Sequence, residues 1–272
     1  MARTTMRTTM RTVSTPPAVR MWESQFLLYR TIWKSNVMGA FLQPLLYLLG
    51  MGLGVGSLVD RGTDAPQLLD GLTYFQFLAP ALIATSAMMV TTTEAMFPVH
   101  AGFKWIRTYH AAAATPLTPG QIAAGIALWQ ATKALITGTG VAAALLLFDQ
   151  TRTTGLPLAV VFAGLTGAAF AAPITAWAAT RQQERSFPAI NRFVITPLFL
   201  FGGAFYPIDQ LPPWLQWVAK ATPIWHGVQL CRNAVTHRLQ LDSTLVHVGY
   251  LLMFVVVGWL FARRTFAERL SL

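Results

Sequence analysis

Few side chains in this sequence could do chemistry, and their spacing narrows what kind. The five histidines stand far apart at His100, His110, His226, His237 and His247, Cys231 is the only cysteine, and no HExxH or paired-cysteine pattern gathers metal ligands. None of the four lysines, Lys34, Lys104, Lys133 and Lys220, sits in a GxxxxGK[ST] loop, so the chain is not expected to hydrolyse ATP itself. Gly50, Gly52, Gly54 and Gly56 alternate like a nucleotide loop, yet no strand precedes them and no Lys-Ser or Lys-Thr follows. Close helix packing through small residues is the better reading. Acid, base or acyl-transfer chemistry would have to come from Asp209, His226 and Asp242, a thin set for an enzyme. His226 beside Trp225 reads as a hydrogen-bonded interfacial residue, and Cys231 as inert packing. Lys133 is different, because it falls in the middle of an apolar run. A lysine there costs roughly 2.5–3.5 kcal/mol on insertion scales, so it must face protein or a cavity. Either it snorkels or is satisfied by helix carbonyls, or it makes a polar contact at a helix junction that gating changes.

The elements that would position these residues belong to a membrane protein. Only 11% of residues are charged and 54% are hydrophobic, with a mean hydropathy of +0.49, where a soluble domain carries about 25% charged. The formal charge of +10 is spread between long apolar runs and not along one polar face, which argues against a nucleic-acid partner. The pattern predicts an all-α polytopic fold with six transmembrane helices, an N-terminal amphipathic interfacial helix, and outer re-entrant helices between spans five and six. Residues 1–19 read as a disordered basic tail, similar to a transit peptide or lying upstream of a start at Met6, Met10 or Met21. Residues 20–272 form a single domain. In 20–35, Trp22, Phe26, Tyr29 and Trp33 fall on one helical face and Glu23, Arg30 and Lys34 on another, as in a helix lying in the interface plane. Spans follow at about 36–57, 74–93, 121–148, 157–180, 187–206 and 245–261.

Two stretches break this pattern. Residues 94–112 mix Phe103, Trp105, Ile106 and Tyr109 with Lys104 and Arg107, which predicts a short amphipathic helix presented to a headgroup layer or a protein groove. The segment 196–232 is apolar, but Gly202, Gly203, Pro207, Pro212, Pro213 and Pro223 cut it into pieces shorter than the ~20 residues that cross a bilayer. Such a segment dips into one face and returns. Six spans place 14 of the 20 Lys and Arg on the side of the termini and 5 opposite, so both termini are expected in the cytoplasm and 207–240 outside. No acid falls within the predicted spans, which argues against a proton- or sodium-coupled carrier. An exporter without its own fuel site needs a cytoplasmic ATPase.

Three stretches carry a family resemblance: ATPLTPGQI (114–122), LWQATKALITGTGVAAAL (128–145) and ITPLFLFGGAFYPIDQLPPWLQWVAKATPIWHGVQLCR (195–232). With the order of elements from Trp22 onward, the chain resembles the permease subunits of type-2 ABC exporters, and most closely the NodJ-like branch. The resemblance implies a homo- or heterodimer of permeases in the inner membrane, above two separate ATPase subunits that bind ATP and Mg, with no cofactor in this chain. Trp22 to Trp33 would be the elbow helix. Glu94, Lys104, Trp105 and Arg107 would contact the ATPase through the coupling helix, although HAGFKWIRTYHAAAA departs from the Gly-Thr-Trp/Leu-Glu pattern of relatives. Tyr206, Asp209, Trp214, Trp217, Trp225 and His226 would form an outer re-entrant gate, its tryptophans anchored at headgroup level. Phe41, Gln43, Tyr74, Gln76 and Phe199 are candidate pathway linings. Lys133 matches a lysine of the branch's AxTK-type stretch. NodJ-like members export lipo-chitooligosaccharides and neighbouring branches export hydrophobic drugs or lipid-linked glycans, so the expected cargo is an amphipathic glycolipid, lipo-oligosaccharide or drug. The alternatives are a membrane-embedded lipid-modifying enzyme and a non-transport assembly subunit on the same fold.

Overall fold

The computed structural model describes residues 15–62 and 65–271, and among them all regular structure is helical. The tail expected at 1–19 lies outside the described residues as far as residue 14. From Pro17 onward the chain is already helix, because proline at the first helical position forfeits no hydrogen bond.

Helix α1 (Pro17–Tyr47) meets no glycine or second proline until Gly39 and Pro44, so nothing stops it at residue 35. The separate elbow helix expected over 20–35 is therefore not observed as its own element. It is the first half of α1, which continues through wider π-helical turns (Leu48–Val55) into α2 (Gly56–Val59). A short α3 (Ala65–Leu68) precedes α4 (Tyr74–Lys104), and α5 (Thr108–Ala113) leads to α6 (Pro119–Leu145). Both long helices open on a capping box, Thr73 with Gln76 and Thr118 with Gln121, each side chain satisfying the other residue's backbone N–H. Then come α7 (Leu156–Thr180), α8 (Phe187–Ile190), α9 (Thr196–Phe201), α10 (Pro213–Lys220), α11 (Pro223–Val235) and α12 (Leu241–Leu270).

Among the described residues, four stretches are long and apolar enough to cross a membrane: Phe41–Val59, Tyr74–Lys104, Leu156–Thr180 and Leu241–Leu270. This is a multi-pass membrane protein, though six spans were expected. Helix α6 is long but carries Gln130, Lys133 and three threonines. The predicted fifth span stops at Phe201, short of Tyr206, where Gly202 ends α9 and Gly203 takes a left-handed φ of 77°.

Helix α7 is the centre of the bundle, touching α4, α6, α11 and α12. Its Ala- and Gly-rich sequence is what permits this. Gly167 lets Thr91 of α4 approach until its hydroxyl donates to the Gly167 carbonyl at 3.1 Å, and Gly258 of α12 lies against the backbone of Pro173. Part of the glycine run behaves as expected: Gly52 abuts the Phe75 ring and Gly56 abuts Tyr74, while Gly50 meets nothing. The main apolar core joins α4, α6, α7 and α11, and a second core around Met96, Phe103, Tyr109, Ile122, Phe187 and Phe266 closes the Lys104 end.

Candidate functional site

Lys133 of α6 is 4% exposed, and its ammonium is satisfied by two neighbouring helices. The Nζ lies 3.1 Å from Glu94 Oε1 of α4, donates to Asn36 Oδ1 of α1 at 3.1 Å, and sits 4.6 Å from the centre of the Tyr29 ring. It neither snorkels nor leans on helix carbonyls; it makes a polar contact at a helix junction. One correction follows: Glu94 does not begin a loop, because α4 runs past it to Lys104. An ion pair can be buried where either charge alone could not. Part of the aromatic face of 20–35 turns toward α6: Tyr29 meets Trp129 edge-on, Trp22 donates to the Thr132 hydroxyl at 2.9 Å, and Met21 lies on Gly125. Trp33 remains half exposed.

At the end of α4, Arg107 takes a left-handed φ of 56° and turns the chain into α5. The corner between them presents Trp105 (56% exposed) and Ile106 (67%) flanked by Lys104 and Arg107. Lys104 Nζ donates to the Gln182 carbonyl at 3.0 Å, tying the corner to the connection after α7. Beneath it, Tyr109 is buried against Phe103 and Phe266, and burial pushes its phenol far above the ordinary range. His100 faces the Glu184 carboxylate at 3.4 Å and the Trp105 ring. From α12, Arg269 donates to the Ala179 and Arg181 carbonyls. An open groove of about 880 Å³ runs beside the corner, with Lys104, Arg107, His110 and Arg269 among its lining residues. Trp105, Lys104 and Arg107 thus stand together, while Glu94 is elsewhere.

The six residues expected in the broken segment are not brought into one cluster. Trp214 and Trp217 are 68% and 76% exposed on α10, and Asp209 is exposed on a 3-10 turn. Tyr206 is half-buried against the main core. Trp225 and His226 face α12 instead. The Lys220 carbonyl, 3.1 Å from His226 Nε2, can only accept, so Nε2 carries the proton and Nδ1 accepts from His247 Nδ1 at 2.7 Å. Tyr250 stacks on His226 with ring centres 4.0 Å apart and donates to the Ala221 carbonyl. No ion pair joins His226 to Asp209 or Asp242 among the described residues, so the acid and base an embedded transferase would need are not assembled.

Of the candidate linings, Gln43 and Phe199 share a small cavity of about 50 Å³ with Tyr47, Ser86 and Thr137. Tyr74 is buried with its N–H on Asp60 Oδ1, Gln76 is spent on capping α4, and Phe41 does not reach this cavity. An open apolar groove of about 510 Å³ runs from Gly39 in α1 to Met51 in the π-helical turns after it, with Gln43 as its one amide.

Partners that sequence reasoning did not assign are Asn36, Tyr29 and Glu94 for Lys133, and His247 and Tyr250 for His226. Glu94 and Lys133 carried a signal, being opposite charges close to long apolar runs. Arg232 carried none, since it was counted only as a cation on the far side; it is 8% exposed.

Residues 18–235 match the family model described as ABC-2 type transporter. Nodulation protein J of Rhizobium leguminosarum bv. viciae is 31% identical over 263 residues, covering 95% of this chain and 98% of that protein. The Nodulation protein J of Rhizobium meliloti (strain 1021) is 32% identical over 231 residues, covering 85% and 84%. The inner membrane transport permease YadH of Escherichia coli (strain K12) is 24% identical over 250 residues, covering 90% and 93%.

Proposed function

The chain belongs to the ABC-2 type transporter family and is a transmembrane subunit of an ABC exporter, and on that premise we propose that a separate ATPase docks on the corner between α4 and α5. The observation that carries this reading is Trp105 and Ile106 held exposed between Lys104 and Arg107 at the end of the bundle, next to a wide groove. An apolar pair rimmed by cations suits a protein surface bearing acids, and the cations favour correct encounter. ATP and Mg are bound by that partner, and this chain contributes no catalytic group.

The finer architecture is part of the proposal. Helix α6 and the run 187–201 are read as the third and fifth of six spans, with both termini cytoplasmic in the inner membrane by the charge bias of the loops. The segment from Pro207 to α11 is read as re-entrant at the outer face. A second permease copy covers α1 and the π-helical turns after it, where Leu42, Leu46, Leu49 and Leu53 are 45%, 59%, 43% and 49% exposed. The same groove, apolar with Gln43 in it, suits an amphipathic cargo such as a glycolipid, a lipo-oligosaccharide or a hydrophobic drug.

The test is the chain co-purified with its ATPase. Lys104→Glu combined with Arg107→Glu should lose cargo-stimulated ATP turnover while the thermal midpoint of the permease stays in place. Undiminished turnover would overturn the docking site. Thiol labelling from either side of single cysteines placed at Trp105 and Trp214, in a Cys231→Ser background, reads the orientation independently.

A further inference from the structure

At the opposite end of the bundle from Lys104, α11 turns a polar stripe toward a chamber. Gln229, Arg232, Asn233 and Thr236 recur at the spacing of one helix face, while Ile224, Val228, Cys231 and Val235 on the other face are buried in the core. The chamber holds about 260 Å³ and is walled by Phe77 at the start of α4 and by Gly203 and Ile208 of the broken segment.

Arg232 is bound on one side only. Its Nε donates to the Phe77 carbonyl at 3.2 Å, its Nη2 donates to the Gly203 carbonyl at 2.8 Å, and its guanidinium lies 3.7 Å from the Phe77 ring centre. The two N–H groups of Nη1 have no protein partner among the described residues, and Nη1 is not sealed off from the chamber. No described carboxylate comes within ion-pairing distance. Asp70 and Asp209 stand exposed at the rim, and Asp70 holds Arg238 through its backbone carbonyl. The half-buried side-chain amides of Gln229 and Asn233, one helical turn apart, also make no protein hydrogen bond.

A buried guanidinium whose nearest counter-charge, the exposed Asp70 carboxylate, stands beyond ion-pairing distance is costly, and its unspent donors face the chamber. The planar fork of arginine matches the oxygens of phosphate or carboxylate, and neighbouring amides hydrogen-bond the groups beside such an anion. At about 260 Å³ the chamber is smaller than the ~300–1,000 Å³ typical of pockets that enclose a whole small molecule. We propose that this chamber is a binding site for an oxyanion-bearing headgroup, held by Arg232 Nη1 and by the amides of Gln229 and Asn233. The occupant is an anionic lipid headgroup or a free oxyanion, and the site stands whatever the cargo of the exporter.

The full chain in nanodiscs tests it in two arms. In the first, nanodiscs of phosphatidylcholine with a minor share of phosphatidylglycerol are dissociated in native mass spectrometry and the retained lipids counted. In the second, inorganic phosphate is titrated calorimetrically into pure phosphatidylcholine nanodiscs. Retention of phosphatidylglycerol without a phosphate response identifies a lipid headgroup, and a phosphate response identifies a free oxyanion. In either case Gln229→Leu with Asn233→Leu should weaken binding about tenfold or more, because hydrogen bonds to a charged group are the strong ones. These amides are half-buried, so the double variant keeps the fold where Arg232 variants could lose it. Absence of both signals in the parent, or unchanged binding in the double variant, overturns the proposal. Neither result bears on the docking corner at the other end of the bundle.

Discussion

Lys133 and Glu94 form an ion pair of 3.1 Å between α6 and α4, and Asn36 of α1 shares the same ammonium. The three helices are thus fastened to one another by a group that would be costly if left alone. Neither charge is free to change partners cheaply, because Lys133 is 5% exposed in its side chain and Glu94 23%. The junction lies between the cavity at Gln43 and the corner at Lys104, so any movement of α1 relative to α4 and α6 has to stretch it.

Breaking this pair should therefore cost more than removing it. Lys133→Met alone leaves the Glu94 carboxylate without its cation and is expected to destabilise the chain by about 3 kcal/mol. Lys133→Met with Glu94→Leu should regain most of that loss. Unfolding midpoints in mild detergent, compared across the two single variants and the double one, read the coupling.

Helix contacts through glycine predict opposite effects at two positions of α12. A methyl at Gly258 would stand 2.6 Å from Pro173 Cδ and 2.7 Å from the Ala172 carbonyl carbon, so Gly258→Ala should cost about 1–3 kcal/mol by forcing α12 off α7. Gly249 meets nothing within 4 Å, and Gly249→Ala should be neutral or stabilise by up to about 1 kcal/mol. Thermal unfolding of both variants checks the sign.

At the proposed docking corner, Gly102 is pressed on by the Tyr109 ring, with 2.5 Å and 2.6 Å left for a methyl. Gly102→Ala should displace α5 and lower cargo-stimulated ATP turnover severalfold, while Trp105 and Ile106 keep their chemistry. Restoring room with Tyr109→Leu in the same chain should recover part of the turnover. A Gly102→Ala variant that turns over ATP like the parent would show that the placement of α5 does not matter.

Acid should loosen α11 from α12. Burial, and then the neighbouring His247, push His226 down to about 4 from its ordinary 6.5. The folded chain therefore binds fewer protons at this site than the unfolded chain does. The stability it contributes is complete above about pH 6.5 and is lost as pH falls toward 4. Protonating Nδ1 would also remove the acceptor that His247 uses. Melting curves at neutral and mildly acid pH should converge for the parent and a His226→Phe variant as pH falls, with the parent losing more.

Much of the chain was legible in its sequence for reasons that act locally. The run 157–180 is long, apolar and free of charge, and it became α7 (Leu156–Thr180) almost residue for residue. Thr118-Pro119 with Gln121 is a start signal that no tertiary contact opposes. The stretch 20–35 does not stand as a helix of its own, and its amphipathicity says which face is apolar but not what covers it. Gly125 made α6 the cover, and without a breaker the helix ran on. Among the expected site residues, Lys104, Trp105 and Arg107 follow one another in the chain and so were found together. Tyr206, Asp209, Trp214, Trp217, Trp225 and His226 are also near in sequence, yet the turns at Gly203, Pro207 and Pro213 send them to different surroundings.

By itself, the sequence determined the class of this protein, since the scarcity of charge, the apolar runs and the 195–232 stretch are properties of the chain that no folding can alter. It determined where several helices begin and the breaks at Gly202 and Gly203, because caps and glycines act within a few residues of themselves, while Pro44, Pro80, Pro98 and Pro173 are carried inside helices. Only the tertiary structure decided the partners of Lys133, the pairing of His226 with His247, and the unspent donors of Arg232. Each depends on which helix lies next to which, and that is settled by close packing around α7, over sequence separations at which periodicity and charge counting carry no information.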